Sequence, residues 1–82
     1  MMHGMAYALS TVVAVLTFGA RKYEADSWRQ VESGQERYRD AMYRHLAAYE
    51  AGELLDPESG LPHLAHVATN SLFLLELDKD TK

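Results

Sequence analysis

ERYRDAMYRHLAAYEAGELLDPESGLPHLAHVATNSLFLLEL, residues 36–77, holds two helical patterns separated by turn-forming residues, and its reading decides the fold. In the first half Tyr38, Ala41, Met42, His45, Ala48 and Tyr49 recur at helical spacing on one face. Arg37, Arg39, Asp40 and Glu50 fall elsewhere. The stripe predicts a helix over about 35–51. Gly52 stands just past its end, where a left-handed residue is wanted. ELLDPESGLP then supplies Asp56-Pro57 and Ser59-Gly60 as turn signals. Pro62 suits the opening of another helix, which the pattern carries to about Asp78. That helix is apolar on two sides. His63, His66, Asn70, Phe73, Leu74 and Leu77 lie on one face. Leu64, Ala65, Ala68, Leu72 and Leu75 lie on the other, with Ser71, Asp78, Thr69 and Glu76 between.

Upstream, residues 5–22 predict a first helix, with Met5, Leu9, Val12, Val13, Leu16, Gly19 and Ala20 on its core face. The connector YEADSWRQVESG, residues 23–34, reads as irregular. The expected fold is therefore all-α: a single domain over residues 1–82, a three-helix unit. A helix apolar on two sides needs neighbours on two sides. A chain of 82 residues buries only about 60% of its unfolded surface. A second copy is the simplest source of the missing packing, so a helical-bundle homo-oligomer is expected.

Composition narrows the function. The absence of cysteine excludes disulfides and thiolate metal sites, and fits a reducing, cytoplasmic compartment. A net charge of −4 argues against a nucleic-acid partner. Yet Arg21, Lys22, Arg29, Arg37, Arg39 and Arg44 gather six of the eight basic residues in one segment, enough to attract a small anion. The uncharged run 5–20 is shorter than the roughly 20 residues a bilayer span needs, so no membrane partner is expected.

Polar residues on core faces carry the functional signal. If the second and third helices pair antiparallel, His45 meets His63, His66 and Asn70, with Arg44 beside them and Asp56 in the joining loop. Buried polar groups cost free energy unless partnered. The partner can be a metal, an anion, or the same residues acting as a register-fixing network. The readings differ in sign. Replacing His63 or His66 by leucine costs a closed network about 1–3 kcal/mol, whereas a ligand site loses no apo stability and gives up only its ligand response. The ligand-site reading is the one adopted. Glu50 and Glu53 have the spacing of a metal pair, but periodicity puts them on a solvated edge. Arg21 and Lys22 suit the C-terminal dipole of the first helix, and Trp28 suits the core.

These stretches, with LTFGARKYEADSW at residues 16–28, resemble the MazG-like N-terminal domain of dATP/dGTP diphosphohydrolases, over about residues 16–77. The resemblance implies an all-α oligomer that cleaves a purine deoxynucleoside triphosphate to monophosphate and pyrophosphate, with Mg²⁺ or Mn²⁺. On the enzyme reading, His45, His63, His66 and Asp56 form or border the metal and phosphate site as its catalytic and metal residues. Lys22, Tyr23, Trp28, Arg44 and Asn70 would contact the deoxynucleoside triphosphate. There is a departure. The wider MazG-type group holds its metals with carboxylates, ExxE then ExxD, where this chain has His45 and then His63, His66 and Asn70. The competing functions are a nucleotide-binding or regulatory module without chemistry, and a structural interaction protein.

Overall fold

In the computed structural model, residues 2–22 and 27–79 are described, with side chains for 4–21 and 27–79. Among the described residues there are three α-helices: α1 (Ala6–Lys22), α2 (Gly34–Glu50) and α3 (His63–Asp78). Short 3-10 turns cover Met2–Met5 and Ser27–Gln30. Among the described residues there is no strand, only an isolated antiparallel bridge between Leu55 and Pro62. No described helix is long and apolar enough to cross a membrane.

The α2–α3 hairpin is the framework, and its antiparallel register is set by contacts along its whole length. Gln35 Nε2 donates to Asp78 Oδ1 at 2.6 Å at one end, Ser71 Oγ reaches Met42 Sδ at 3.3 Å in the middle, and His45 meets His63 at the other. The hairpin closes in a way its sequence dictates. Gly52 takes φ 102°, which costs glycine little. Its N–H bonds the Tyr49 carbonyl and the Glu53 N–H bonds the Ala48 carbonyl, both at 3.0 Å, so the last carbonyls of α2 are satisfied as the chain reverses. The loop is then pinned back on itself. His63 N–H donates to Leu54 O at 2.9 Å, and Asp56 N–H to Leu61 O at 2.8 Å. Gly60, at φ 73°, sends its N–H to Asp56 O at 2.7 Å.

α1 lies against α3 rather than completing a three-way bundle. The face it buries differs from the stripe its sequence suggests. Val15 is buried, with Thr11, Val12, Phe18 and Gly19 half-buried beside it, while Leu9, Val13 and Leu16 stay exposed. The helix is apolar all round, so periodicity alone does not select the face. Its hydroxyls do not forbid either choice, because Ser10, Thr11 and Thr17 each bond a carbonyl of their own helix. Thr69 is a second difference. It sits not on a polar divider but in the core, 2% exposed, with its hydroxyl donating to Ala65 O at 2.8 Å.

The connector before α2 is held by aromatics. Trp28 stacks on Phe73 at 4.6 Å, Tyr38 tilts against the same ring at 4.9 Å, and the Tyr38 hydroxyl donates to Trp28 O at 2.7 Å. Trp28 thus packs the turn onto the hairpin, as an aromatic of its size is expected to. Burial lifts the Tyr38 phenol above its usual range, with the Arg37 charge opposing, so the hydroxyl keeps the proton this bond needs.

Candidate functional site

His45 leaves the half-buried stripe of α2 two turns before the hairpin closes. His63 and His66 leave the first turn of α3, where Pro62 precedes the helix. Asp56 and Ser59 come from the loop between. Antiparallel pairing brings them together: the His45 and His66 rings stack at 4.3 Å with only 7° between planes, and His45 Nδ1 lies 2.8 Å from His63 Nδ1. His63 is 3% exposed, and its Nε2 is 2.7 Å from Glu53 Oε1. His66 Nε2 is 2.7 Å from Ser59 Oγ and 3.7 Å from Asp56 Oδ2.

Hydrogen-bond chemistry fixes most of the protons. Asp56 Oδ2 accepts from both the Ser59 N–H and the Ser59 hydroxyl, each at 2.9 Å. A serine has one hydroxyl proton. With that proton on Asp56, His66 Nε2 must be the donor to Ser59 Oγ, which also accepts from the Leu61 N–H at 3.2 Å. Burial by itself raises the Asp56 carboxyl, but the two Ser59 hydrogen bonds and then the nearby His66 and His45 bring it below the ordinary carboxylate range. Asp56 is therefore an anion that organises its own loop.

His45 and His66 are pushed away from protonation. Burial lowers His45, and His66, His63 and Arg44 add to that against the pull of Asp56. Burial likewise lowers His66, with Asp56 opposing, His63 adding, and Glu58 opposing. Neutral stacked rings follow, and neutral imidazole is the form that binds a metal.

Three of these side chains form a metal-compatible group. His45, Asp56 and His63 each offer one ligand atom, all within 4.8 Å of one another. Two imidazole nitrogens and one carboxylate oxygen suit a borderline transition ion better than Mg²⁺, which prefers oxygen throughout. His66, expected as a fourth ligand, stands outside this group with its Nε2 committed to Ser59.

A cleft of about 690 Å³ opens beside the group, walled by α1 and α2 and floored by α3. His45, Asp56 and His66 line part of it with Arg37 and Arg44, while Trp28, Tyr38 and Phe73 line an aromatic part. Asn70, also lining the cleft, donates from Nδ2 to the His66 carbonyl at 2.8 Å. Tyr23 and the Lys22 side chain, expected to contact substrate, lie outside the described residues.

Two contacts escape helical periodicity. Glu53 is no solvated bystander, because the reversal at Gly52 carries it out of the α2 register and onto His63. Ser59 joins Asp56 to His66 from a turn, where side-chain direction follows no repeat. Glu50 stays exposed, as its position on the helix requires.

Comparison with known proteins bears on what this arrangement is. A dATP/dGTP diphosphohydrolase of Salmonella phage PMBT28 is 36% identical over 66 residues, which are 80% of this chain and 22% of that relative. The chain thus spans less than a quarter of its relative's length. No solved structure matches it. The family described as dATP/dGTP diphosphohydrolase, N-terminal, matches residues 1–82 in full. An all-helical hairpin carrying its histidines on facing helices is therefore seen here in a chain that belongs to the dATP/dGTP diphosphohydrolase N-terminal family.

Proposed function

We propose that this chain is a (d)NTP diphosphohydrolase domain, cleaving dATP or dGTP to monophosphate and pyrophosphate with a divalent metal. The observation that carries the reading is the convergence of His45, His63 and Asp56 beside a cleft that also holds Arg37 and Arg44. A bound metal there would polarise a phosphoryl oxygen or acidify a water. Arg44 and Arg37 would balance phosphate charge, and the cleft wall near Trp28 and Phe73 offers apolar area to a base. His66, held by Ser59, would keep the His45 ring flat and in place. Such an activity would act on the nucleotide pool of a bacterial or phage-infected cytoplasm.

The test is direct. The purified chain with Mn²⁺ or another divalent ion should release pyrophosphate and dAMP or dGMP, not phosphate and a diphosphate. If dATP and dGTP stay intact across common divalent ions, the reading passes to a nucleotide-binding or protein-interaction module. That second reading has its own support: the relative is far longer, so the chemistry could reside in the remainder of it.

The same proposal includes a homo-oligomer. Its support is the apolar surface left open among the described residues: on the outer face of α3 Leu64 is 44%, Leu72 45% and Leu75 67% exposed, and a second copy is the simplest cover for it. Sedimentation at micromolar concentration should give at least twice 9.2 kDa. A well-folded monomer would remove this part of the reading.

A further inference from the structure

We propose that Glu53 is a positioning residue for His63: it holds that ring's proton on Nε2 and leaves the Nδ1 lone pair turned toward His45. The inference rests on reading His45, Asp56 and His63 as a metal group, and it says which residue prepares that group for an ion.

The proton assignment follows from what each atom can do. A carboxylate only accepts, so the 2.7 Å contact between Glu53 Oε1 and His63 Nε2 requires the hydrogen on Nε2. A neutral imidazole carries one N–H, so Nδ1 is then a lone pair. It faces His45 Nδ1 at 2.8 Å, and His45 is the donor in that pair. Without Glu53, His63 is free to place its proton on Nδ1, which then has no lone pair to offer an ion. A carboxylate on the far nitrogen also makes the near one more basic, which strengthens a metal bond.

The backbone makes this placement cheap. Glu53 N–H is tied to Ala48 O at 3.0 Å, and the carbonyl of the next residue, Leu54, accepts the His63 N–H at 2.9 Å. Glu53 and His63 are thus fixed across the loop from each other before their side chains meet. The carboxylate is 52% exposed, so the pair adds little to stability. Orientation without much stabilisation is what separates a positioning role from a structural one.

The experiment uses the 82-residue chain with ¹⁵N-labelled histidine, its Glu53→Ala and Glu53→Gln variants, and Co²⁺ alone as the metal probe. Long-range imidazole spectra at about pH 8, above the ordinary histidine pKa, report the tautomer without any metal. Calorimetry reports Co²⁺ affinity. In the parent, His63 should carry its proton on Nε2. In Glu53→Ala that preference should be lost and Co²⁺ affinity should fall about 10–100-fold, with the melting temperature little changed. Glu53→Gln keeps an amide oxygen that accepts from Nε2, so its tautomer should hold and its affinity should fall less. A Glu53→Ala chain with the parent's tautomer and the parent's affinity overturns the proposal, as does a parent with the His63 proton on Nδ1. If the parent binds no Co²⁺ while Glu53→Ala still scrambles the tautomer, the positioning role stands and the metal reading alone falls.

Discussion

His63→Leu is expected to destabilise the metal-free protein by about 1–3 kcal/mol, and to abolish any rise in melting temperature that a divalent ion gives the parent. His63 is 3% exposed and bonded at both nitrogens. Leucine fills the space but accepts nothing. Glu53 recovers water on its exposed side, whereas the His45 Nδ1–H, half-buried between α2 and α3, loses its acceptor. In a chain this small each kcal/mol moves the midpoint by about 4–8 °C. The sign is opposite to the one adopted from the sequence, in which the histidines face a ligand pocket rather than satisfy one another. Here every buried side-chain polar atom among the described residues already has a partner. His66→Leu should cost less, because the Ser59 hydroxyl keeps Asp56 and the Leu61 N–H. Thermal melts of both variants, with and without metal, decide the matter. A His63→Leu chain that melts above the parent would show that the imidazole pair is held under strain for function rather than supporting the fold.

The difference in sign shows what periodicity transmits. The stripe from Tyr38 to Ala48, the stop at Gly52 and the turn DPESG together define an antiparallel hairpin, because each rests on local backbone chemistry. Once the hairpin is granted, His45, His63, His66 and Asp56 converge by geometry. What stays hidden depends on groups off the helical repeat. Glu53 leaves the α2 register at a glycine with positive φ, so counting residues from Glu50 misplaces it. Ser59 acts through its single hydroxyl proton, which it donates to Asp56, leaving its oxygen to accept from His66. The orientation of α1 is hidden for another reason: apolar residues surround that helix, and packing on α3 chooses Val15 and Phe18 where the sequence offers Leu9, Val13 and Leu16 equally.

The group should discriminate sharply among divalent ions, and this is the larger of the expected ligand effects. Affinity of nitrogen-bearing sites rises from Mn²⁺ through Co²⁺ to the later first-row ions, with Zn²⁺ also well bound. Mg²⁺ gives up water reluctantly and is usually held by one or two carboxylates plus substrate phosphates. His45 and His63 supply two nitrogens, and Asp56 supplies one carboxylate whose Oδ2 already accepts twice from Ser59. Burial holds the His45 pKa below its ordinary value, so at neutral pH the ring is neutral and one of its two nitrogens carries a lone pair. At a free ion concentration of 100 times Kd, binding to the folded state stabilises it by about 2.7 kcal/mol, a midpoint rise of about 10–20 °C in a domain of this size. Co²⁺ and Zn²⁺ should reach that range at concentrations where Mg²⁺ gives almost none. Mg²⁺ added with dATP is the informative comparison: a rise that appears only with the nucleotide would mean the ion rides on the triphosphate, with the imidazoles gripping phosphate oxygens instead. Equal stabilisation by Mg²⁺ and Co²⁺ alone would mean that the nitrogen ligands are not the ones in use.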